Sequence, residues 1–425
     1  MIQSFKRISK VSGSLTICGD KSISHRALLI SSLADGKSGI KNISDSDDVK
    51  STISCLRDLG IEIEHNRNEI IVFGSGFKGY RKPAKPMDAG NSGTTARLLA
   101  GILAAQNFES TIIGDESLSS RPMKRVIEPL TQMSAKIESH EGKLPLRIFP
   151  ADKLTSLKYE MPVASAQVKS AILLAGLHSD ATTVVIESTP TRNHTENLLG
   201  LPVEREGNKI KSFVSRNVYP EPKEYFVPGD LSSAMFFIVL TLLTNNSELI
   251  IKNLSLNPTR TECLTILKRM GAKIQIEEKG VSNNELFGDI VVKSSALTNI
   301  KFDKEIIPLI IDEIPILTIA GIFAEGNFEL KGASELRVKE SDRIKAICAN
   351  LLRLGLDVAE FEDGFRVSGS VKKQSEPFDS DGDHRIAMAF AILSSLLESG
   401  GEVNGFEYVS VSNPEFLSQL SSITI

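Results

Sequence analysis

Residues 335–344 read "ELRVKESDRI", six charged side chains in ten positions that run directly into an apolar helical pattern. A solvated surface has this composition, and so does a site that grips an anion and moves a proton. With Ser341 as N-cap, Arg343 falls in the first turn of the helix, and Lys339 and Glu340 precede the cap in a loop or at its edge. An i,i+4 salt-bridge ladder therefore accounts poorly for them. Cations open other segments too: His384 and Arg385 follow the N-cap candidate Asp383, Lys21 starts an apolar segment with Arg26 one turn on, and Arg97 sits one turn into "GNSGTTAR". The first helical turn carries unpaired N–H groups and about half a positive charge, so each cation there costs roughly 0.3–1 kcal/mol. Four segments sharing that fault point to an anionic ligand, phosphate or carboxylate, that supplies the missing charge.

Other groups suit the same chemistry, each with a plainer alternative. In "DAGNSGTTAR" (88–97), Gly90 and Gly93 let backbone approach a ligand, and Asn91, Ser92, Thr94 and Thr95 add donors; an ordinary Gly/Ser cap reads the same way. The stretch is neither a P-loop nor a dinucleotide fingerprint. Arg121 precedes Pro122, which places it in an extended or loop conformation, where an arginine is usually a plain surface residue. Ser165 and Gln167 sit at a helix start, where Ser165 alone would serve as an N-cap, and Arg192 and His194 lie in a polar loop. Asp312 and Glu313 interrupt "LIIDEIPILTIA" before Pro315. One of them caps a helix there, or one is a partly desolvated carboxylate poised as a base.

The elements that must position these groups recur. Six segments begin with small or polar residues and become Ala/Leu/Ile-rich helices: 19–36, 90–107, 165–180, 229–246, 312–326 and 382–400. Between them lies a second series of helix ends followed by strand-like alternation, as in "CLRDLGIEIE" and "ILKRMGAKIQIE". The pattern predicts six similar units of two helices and short strands, three to a domain, with a break near the Pro-rich "NVYPEPKEYFVPG".

Composition excludes several classes. At 425 residues, 41% hydrophobic and 24% charged, the chain is an ordinary soluble protein with room for two cores. A net charge of −4 and the absence of Trp argue against nucleic acid or an anionic membrane as partner. Cys18, Cys55, Cys263 and Cys348 are scattered, with no ligand spacing, so no metal site is expected; they read as reduced, mostly buried cytosolic thiols. No stretch has the length of a membrane helix, and the N-terminus has no signal-peptide character.

In order along nearly the whole chain, "DKSISHRALL", "GNSGTTAR", "SSRPM", "SAQVKSA", "PGDLSSA", "ELRVKESDRI" and "GDHRIAMA" closely resemble the 5-enolpyruvylshikimate-3-phosphate synthase family, the 3-phosphoshikimate 1-carboxyvinyltransferases. The resemblance implies an α/β fold: a two-domain inside-out α/β barrel of six βαβαββ repeats. The domains would be 19–227, and 1–18 with 228–425, with the active site in the cleft between them. It implies transfer of the enolpyruvyl group of phosphoenolpyruvate to the 5-hydroxyl of shikimate 3-phosphate, releasing phosphate, on the route to chorismate and aromatic amino acids. Neither cofactor nor metal is implied, and the protein would act as a cytoplasmic monomer on these two small-molecule substrates.

By motif position, Lys21, Ser22, Arg26, Ser165, Gln167, Arg192, Asp312 and Lys339 would hold shikimate 3-phosphate. Lys21, Gly93, Arg121, Gln167, Arg343, His384 and Arg385 would hold phosphoenolpyruvate. Asp312 matches the family's proton acceptor and Glu340 the group that exchanges a proton with the methylene carbon, with Lys21 beside the chemistry. Two departures stand out: His25 replaces a common Asn, and "VSVSNPEF" (409–416) lacks a Lys that several members carry. The family is the target of glyphosate, and Gly93, where some tolerant members have Ala, predicts sensitivity. Two alternatives remain. UDP-N-acetylglucosamine enolpyruvyl transferases resemble a family with a reactive Cys before "RP", absent from "GDESLSSRPM". A non-catalytic anion-binding module would gain nothing from Asp312 and Glu340.

Overall fold

The computed structural model describes residues 1–66, 69–76, 78–151, 153–372 and 374–425. Segments that are apolar on every side leave no face for water, and they become buried helices. These are Lys21–Leu33, Gly93–Leu103, Ala166–Gly176, Leu231–Leu243, Ile314–Ile322 and His384–Leu396. Leu231–Leu243 buries every residue through Leu242. Gly101 allows the close packing of Gly93–Leu103 on Ala166–Gly176, because a Cβ there would collide with the Ala171 carbonyl. The second series is one-sided: Lys124–Gln132 buries Val126, Pro129 and Leu130, the i, i+3, i+4 stripe of a surface helix.

Among the described residues the strands form six small sheets. Met87–Asp88 runs parallel to Ser110–Ile113, which pairs antiparallel with Lys143–Ile148, itself antiparallel to Ile137–His140. With the helices Gly93–Leu103 and Lys124–Gln132 this makes one βαβαββ repeat, and Lys158–Glu160 to Lys209–Val214 makes another. Lys143–Ile148 alternates exposed and buried residues, so its sheet shows one face to water.

Other repeats borrow strands from distant sequence. The first takes Glu224–Phe226, parallel to Asp35–Lys41. The fourth takes Ser12–Thr16, parallel to Glu248–Ser255, and the sixth takes Ile2–Phe5, antiparallel to Gly401–Asn404. The chain thus forms two compact units. One is Gly19–Pro228 with Val281–Glu285; the other is Met1–Cys18, Gly229–Gly280 and Leu286–Ile425. Each has its own apolar core. The hairpin tip Val281–Glu285 groups with the first unit, not with the residues flanking it in sequence. There Glu285 Oε1 lies 2.8 Å from His194 Nδ1 and accepts from Asn197 Nδ2 at 3.1 Å.

Candidate active-site residues

Neither Arg343–Leu352 nor any of the six buried apolar helices has an acid in its first turn. The helix Asp47–Asp58, by contrast, carries Asp47 and Asp48 there. Aspartates stand instead at the N-caps: Asp20, Asp230, Asp342 and Asp383 each accept a first-turn amide. One expected cap is corrected. Asp342, not Ser341, caps Arg343–Leu352, accepting from Lys345 N at 3.0 Å, because Ser341 Oγ is turned toward Asp383 Oδ2 at 3.5 Å.

In the first unit a ring of hydrogen bonds links the helix starts. Lys21 Nζ is 2.7 Å from Asp48 Oδ2. Arg26 donates from Nε to Thr195 Oγ1 and from Nη2 to Ser170 Oγ, both at 2.8 Å, and from Nη1 to the Ser22 carbonyl. Arg192 Nη1 reaches Ser22 Oγ at 3.5 Å. Gln167 donates to Thr94 Oγ1 at 2.9 Å and accepts from Arg97 Nη1 at 2.5 Å, which ties its helix to the one beginning at Gly93. Arg121, extended as expected, donates to Asn91 Oδ1 at 2.7 Å and Ser117 Oγ at 3.0 Å. Ser165 is the N-cap of its helix, accepting from Val168 N. His194 is not in a loop: it starts the helix His194–Leu199 and is fully buried.

In the second unit the candidates gather on Asp312. Arg343 Nη1 lies 3.3 Å from Asp312 Oδ1, its Nη2 2.7 Å from Glu340 Oε2, and its Nε 2.7 Å from Asp383 Oδ2. Lys339 Nζ is 3.5 Å from Asp312 Oδ1, and Arg385 Nη1 donates to the Asp312 carbonyl at 2.9 Å. Burial works against the Arg343 charge, but Asp383 and Glu340 outweigh it and raise its pKa above the usual arginine value. Arg385 is moved the other way. Burial lowers its pKa, and the nearby Arg343 and Arg260 outdo part of the help from Glu313. An anion beside Arg385 would relieve that strain. His384 is buried between Asp383 and Arg385 in the first turn of its helix.

Neither acid of the "DE" pair caps Ile314–Ile322 through its side chain. Glu313 accepts from Ser232 Oγ and stands 3.6 Å from Arg260 Nη1 and 3.8 Å from Arg385 Nη1. Arg260 was not among the expected residues, and Glu313 was expected only as a cap or a base. The signal was available, since Arg260 is another cation just ahead of a helix start, that of Glu262–Arg269. Asp48 was also missed, because an acid in a first turn reads as ordinary.

The two departures have structural roles. His25 is fully buried, with Nδ1 2.7 Å from Thr52 Oγ1, in a chain that continues to Thr95 Oγ1. In "VSVSNPEF", Phe416 is buried against Phe236, Phe237 and Phe406, and Asn413 donates to Gln419 Oε1 at 2.9 Å. Among the described residues no cluster of His, Cys, Asp and Glu could hold a metal, and no helix is long and apolar enough to cross a membrane. Burial raises the thiols of Cys55 and Cys348 to about 12.

Buried histidines set an acid limit. Burial, with Lys21 and Arg26 adding to it, holds His25 well below 6.5, and burial with Arg216 brings His178 down to about 3. Below pH 6.5 the unfolded chain takes protons that the folded chain refuses, so stability is full above that pH and falls as pH drops toward the folded values. At about 1.36 kcal/mol per pKa unit, His178 alone should remove about 2 kcal/mol between pH 6.5 and 5. Urea unfolding at pH 7.5 and 5.0 measures this. His178→Asn should lessen the loss, and an unchanged pH dependence in that variant would refute the assignment.

Buried apolar helices and small sheets make up a fold that solved enolpyruvyl transferases and EPSP synthases share. The enolpyruvyl transferase NikO from Streptomyces tendae matches it with a TM-score of 0.75 at 14% identity, over 100% of this chain and 97% of that one. A sequence model of the family EPSP synthase (3-phosphoshikimate 1-carboxyvinyltransferase) matches residues 5–420, and the chain belongs to that family. It is 47% identical over 414 residues to the 3-phosphoshikimate 1-carboxyvinyltransferase of Petrotoga mobilis, covering 96% of this chain and 95% of the relative. The Salinibacter ruber protein of the same name is 43% identical over 429 residues, with 100% of both covered. The solved EPSP synthase of Acinetobacter baumannii has a TM-score of 0.86 at 38% identity, over 100% of this chain and 98% of that one.

Proposed function

We propose that the chain transfers the enolpyruvyl group of phosphoenolpyruvate to the 5-hydroxyl of shikimate 3-phosphate, releasing phosphate, in the shikimate route to aromatic amino acids. Full-length membership of the EPSP synthase family supports the reaction. The observation that carries the chemistry is the placing of two carboxylates, Asp312 and Glu340, on one buried guanidinium, Arg343. A base takes the acceptor's hydroxyl proton as its oxygen bonds to C2 of the donor, while an acid protonates the methylene carbon. The resulting tetrahedral adduct then returns that proton from the methyl carbon as the C2–O bond to phosphate breaks. Asp312 is the proton acceptor and Glu340 the group that serves the methylene carbon. Both are partly shielded from water, and cations stand close by: Arg343 for both and Lys339 for Asp312.

Lys21, Ser22, Arg26, Ser165, Gln167, Arg192, Asp312 and Lys339 receive shikimate 3-phosphate. Lys21, Gly93, Arg121, Gln167, Arg343, His384 and Arg385 receive phosphoenolpyruvate. Cations at helix starts suit two phosphates and two carboxylates, and their preorganised charge stabilises the adduct. The lowered Arg385 pKa supports an anion there. The protein works as a cytoplasmic monomer. The test is phosphate release from purified protein with both substrates, then with each omitted. Release should require both. Silence while both ligands bind would leave only an anion binder and would overturn the assignment.

A further inference from the structure

The helix Ala166–Gly176 carries Lys169, the centre of a buried ion cluster that the reaction does not use. The Lys169 side chain is 1% exposed, with Nζ 2.7 Å from both Glu187 Oε2 and Glu196 Oε1. Burial opposes its charge, yet Glu196 and Glu187 prevail and raise its pKa above the ordinary lysine value. Buried ion groups stabilise poorly, because desolvation consumes most of their attraction and apolar side chains often do as well. Their use lies in what they hold still.

Glu187 ends the strand Thr183–Glu187, Glu196 belongs to the helix His194–Leu199, and the intervening residues 188–193 include Arg192. Thr191 Oγ1 donates to Glu187 Oε1, and the Thr191 carbonyl accepts from Lys169 Nζ at 3.5 Å. On the other side, Thr195 donates to Ser170 Oγ at 2.8 Å, and these two hydroxyls are the acceptors for Arg26. Thr195 adjoins Glu196, and Ser170 adjoins Lys169. One ammonium thus fixes both the backbone next to Arg192 and the hydroxyl pair beneath Arg26.

We propose that Lys169 is a positioning residue for the acceptor's phosphate monoester: through Glu187 and Glu196 it sets the spacing of Arg26 and Arg192 without touching the ligand. This rests on reading those two arginines as phosphate-binding groups. The test is steady-state kinetics with each substrate varied, alongside thermal unfolding. Lys169→Met should raise KM for shikimate 3-phosphate at least ~10-fold with KM for phosphoenolpyruvate changed less than about twofold, since small misplacements of binding groups are expensive. Should that variant not fold, Thr191→Val leaves the buried charges in place and should raise the same KM roughly threefold to tenfold. Folded variants with a lowered Tm but both KM values unchanged, or both raised together, would reduce Lys169 to a structural role and overturn the proposal. Arg192→Gln separates the two ideas: an unchanged KM for shikimate 3-phosphate in that variant would fault the phosphate reading itself.

Discussion

Asp312→Asn and Glu340→Gln should each lower kcat by about 10²–10⁴-fold, the usual worth of a positioned acid or base. Neither side chain is lost in the interior: Asp312 is 12% exposed and Glu340 21%, open enough to meet a ligand and closed enough to be partly desolvated. The amides keep volume and a hydrogen-bond acceptor for Arg343 but cannot carry a proton. Binding of shikimate 3-phosphate, measured by calorimetry, should change only a few-fold in Glu340→Gln. It should weaken further in Asp312→Asn, because Asp312 is itself among the groups proposed to receive shikimate 3-phosphate and an amide oxygen accepts from its hydroxyls less strongly than a carboxylate. A variant that kept a tenth of wild-type kcat would remove its carboxylate from the chemistry. Tighter anion binding with turnover already absent in the wild type would favour a pure binder.

Arg343→Met should destabilise the protein by about 3–5 kcal/mol, because removing one member of a buried ion cluster strands the others. The Arg343 side chain is 1% exposed and Asp383 is fully buried, and the two are joined at 2.7 Å through Nε and 3.3 Å through Nη2. Asp383 would keep its hydrogen bond to the Arg385 amide but lose the cation facing it. Arg343→Lys retains the charge yet cannot fork to Asp312, Glu340 and Asp383 together. It should therefore raise KM for phosphoenolpyruvate at least about tenfold while unfolding closer to wild type. Urea unfolding and donor-varied kinetics check both. A loss below 1 kcal/mol in Arg343→Met would mean that the carboxylates are compensated elsewhere.

The candidate residues were legible because electrostatics leaves a trace in one dimension. A cation in a first helical turn is locally unfavourable whatever the fold, and Lys21, Arg343, His384 and Arg385 all carry that trace. Buried helices were legible for a similar reason, since "AMFFIVLTLL" has no face for water. Less could be read where two neighbours were equally able to act. Ser341 and Asp342 can both cap a helix, and only the approach of Asp383 from 42 residues away draws Ser341 aside. Asp312 and Glu313 offered two possible caps; the structure uses neither side chain that way, giving Glu313 to Ser232, Arg260 and Arg385.

By itself, the sequence determined the six apolar helices, the repeat and the kinds of charge at each helix start, since these depend on residues within a few positions of one another. Only the tertiary structure decided the closure of each unit and the partners of each charge. Glu224–Phe226 completes a sheet begun at Asp35–Lys41, Ser12–Thr16 lies beside Glu248–Ser255, and Lys169 finds Glu187 and Glu196. Backbone pairing is generic, and a carboxylate attracts any cation. What selects one partner among many is the packing of apolar helices that brings distant residues within a few ångströms.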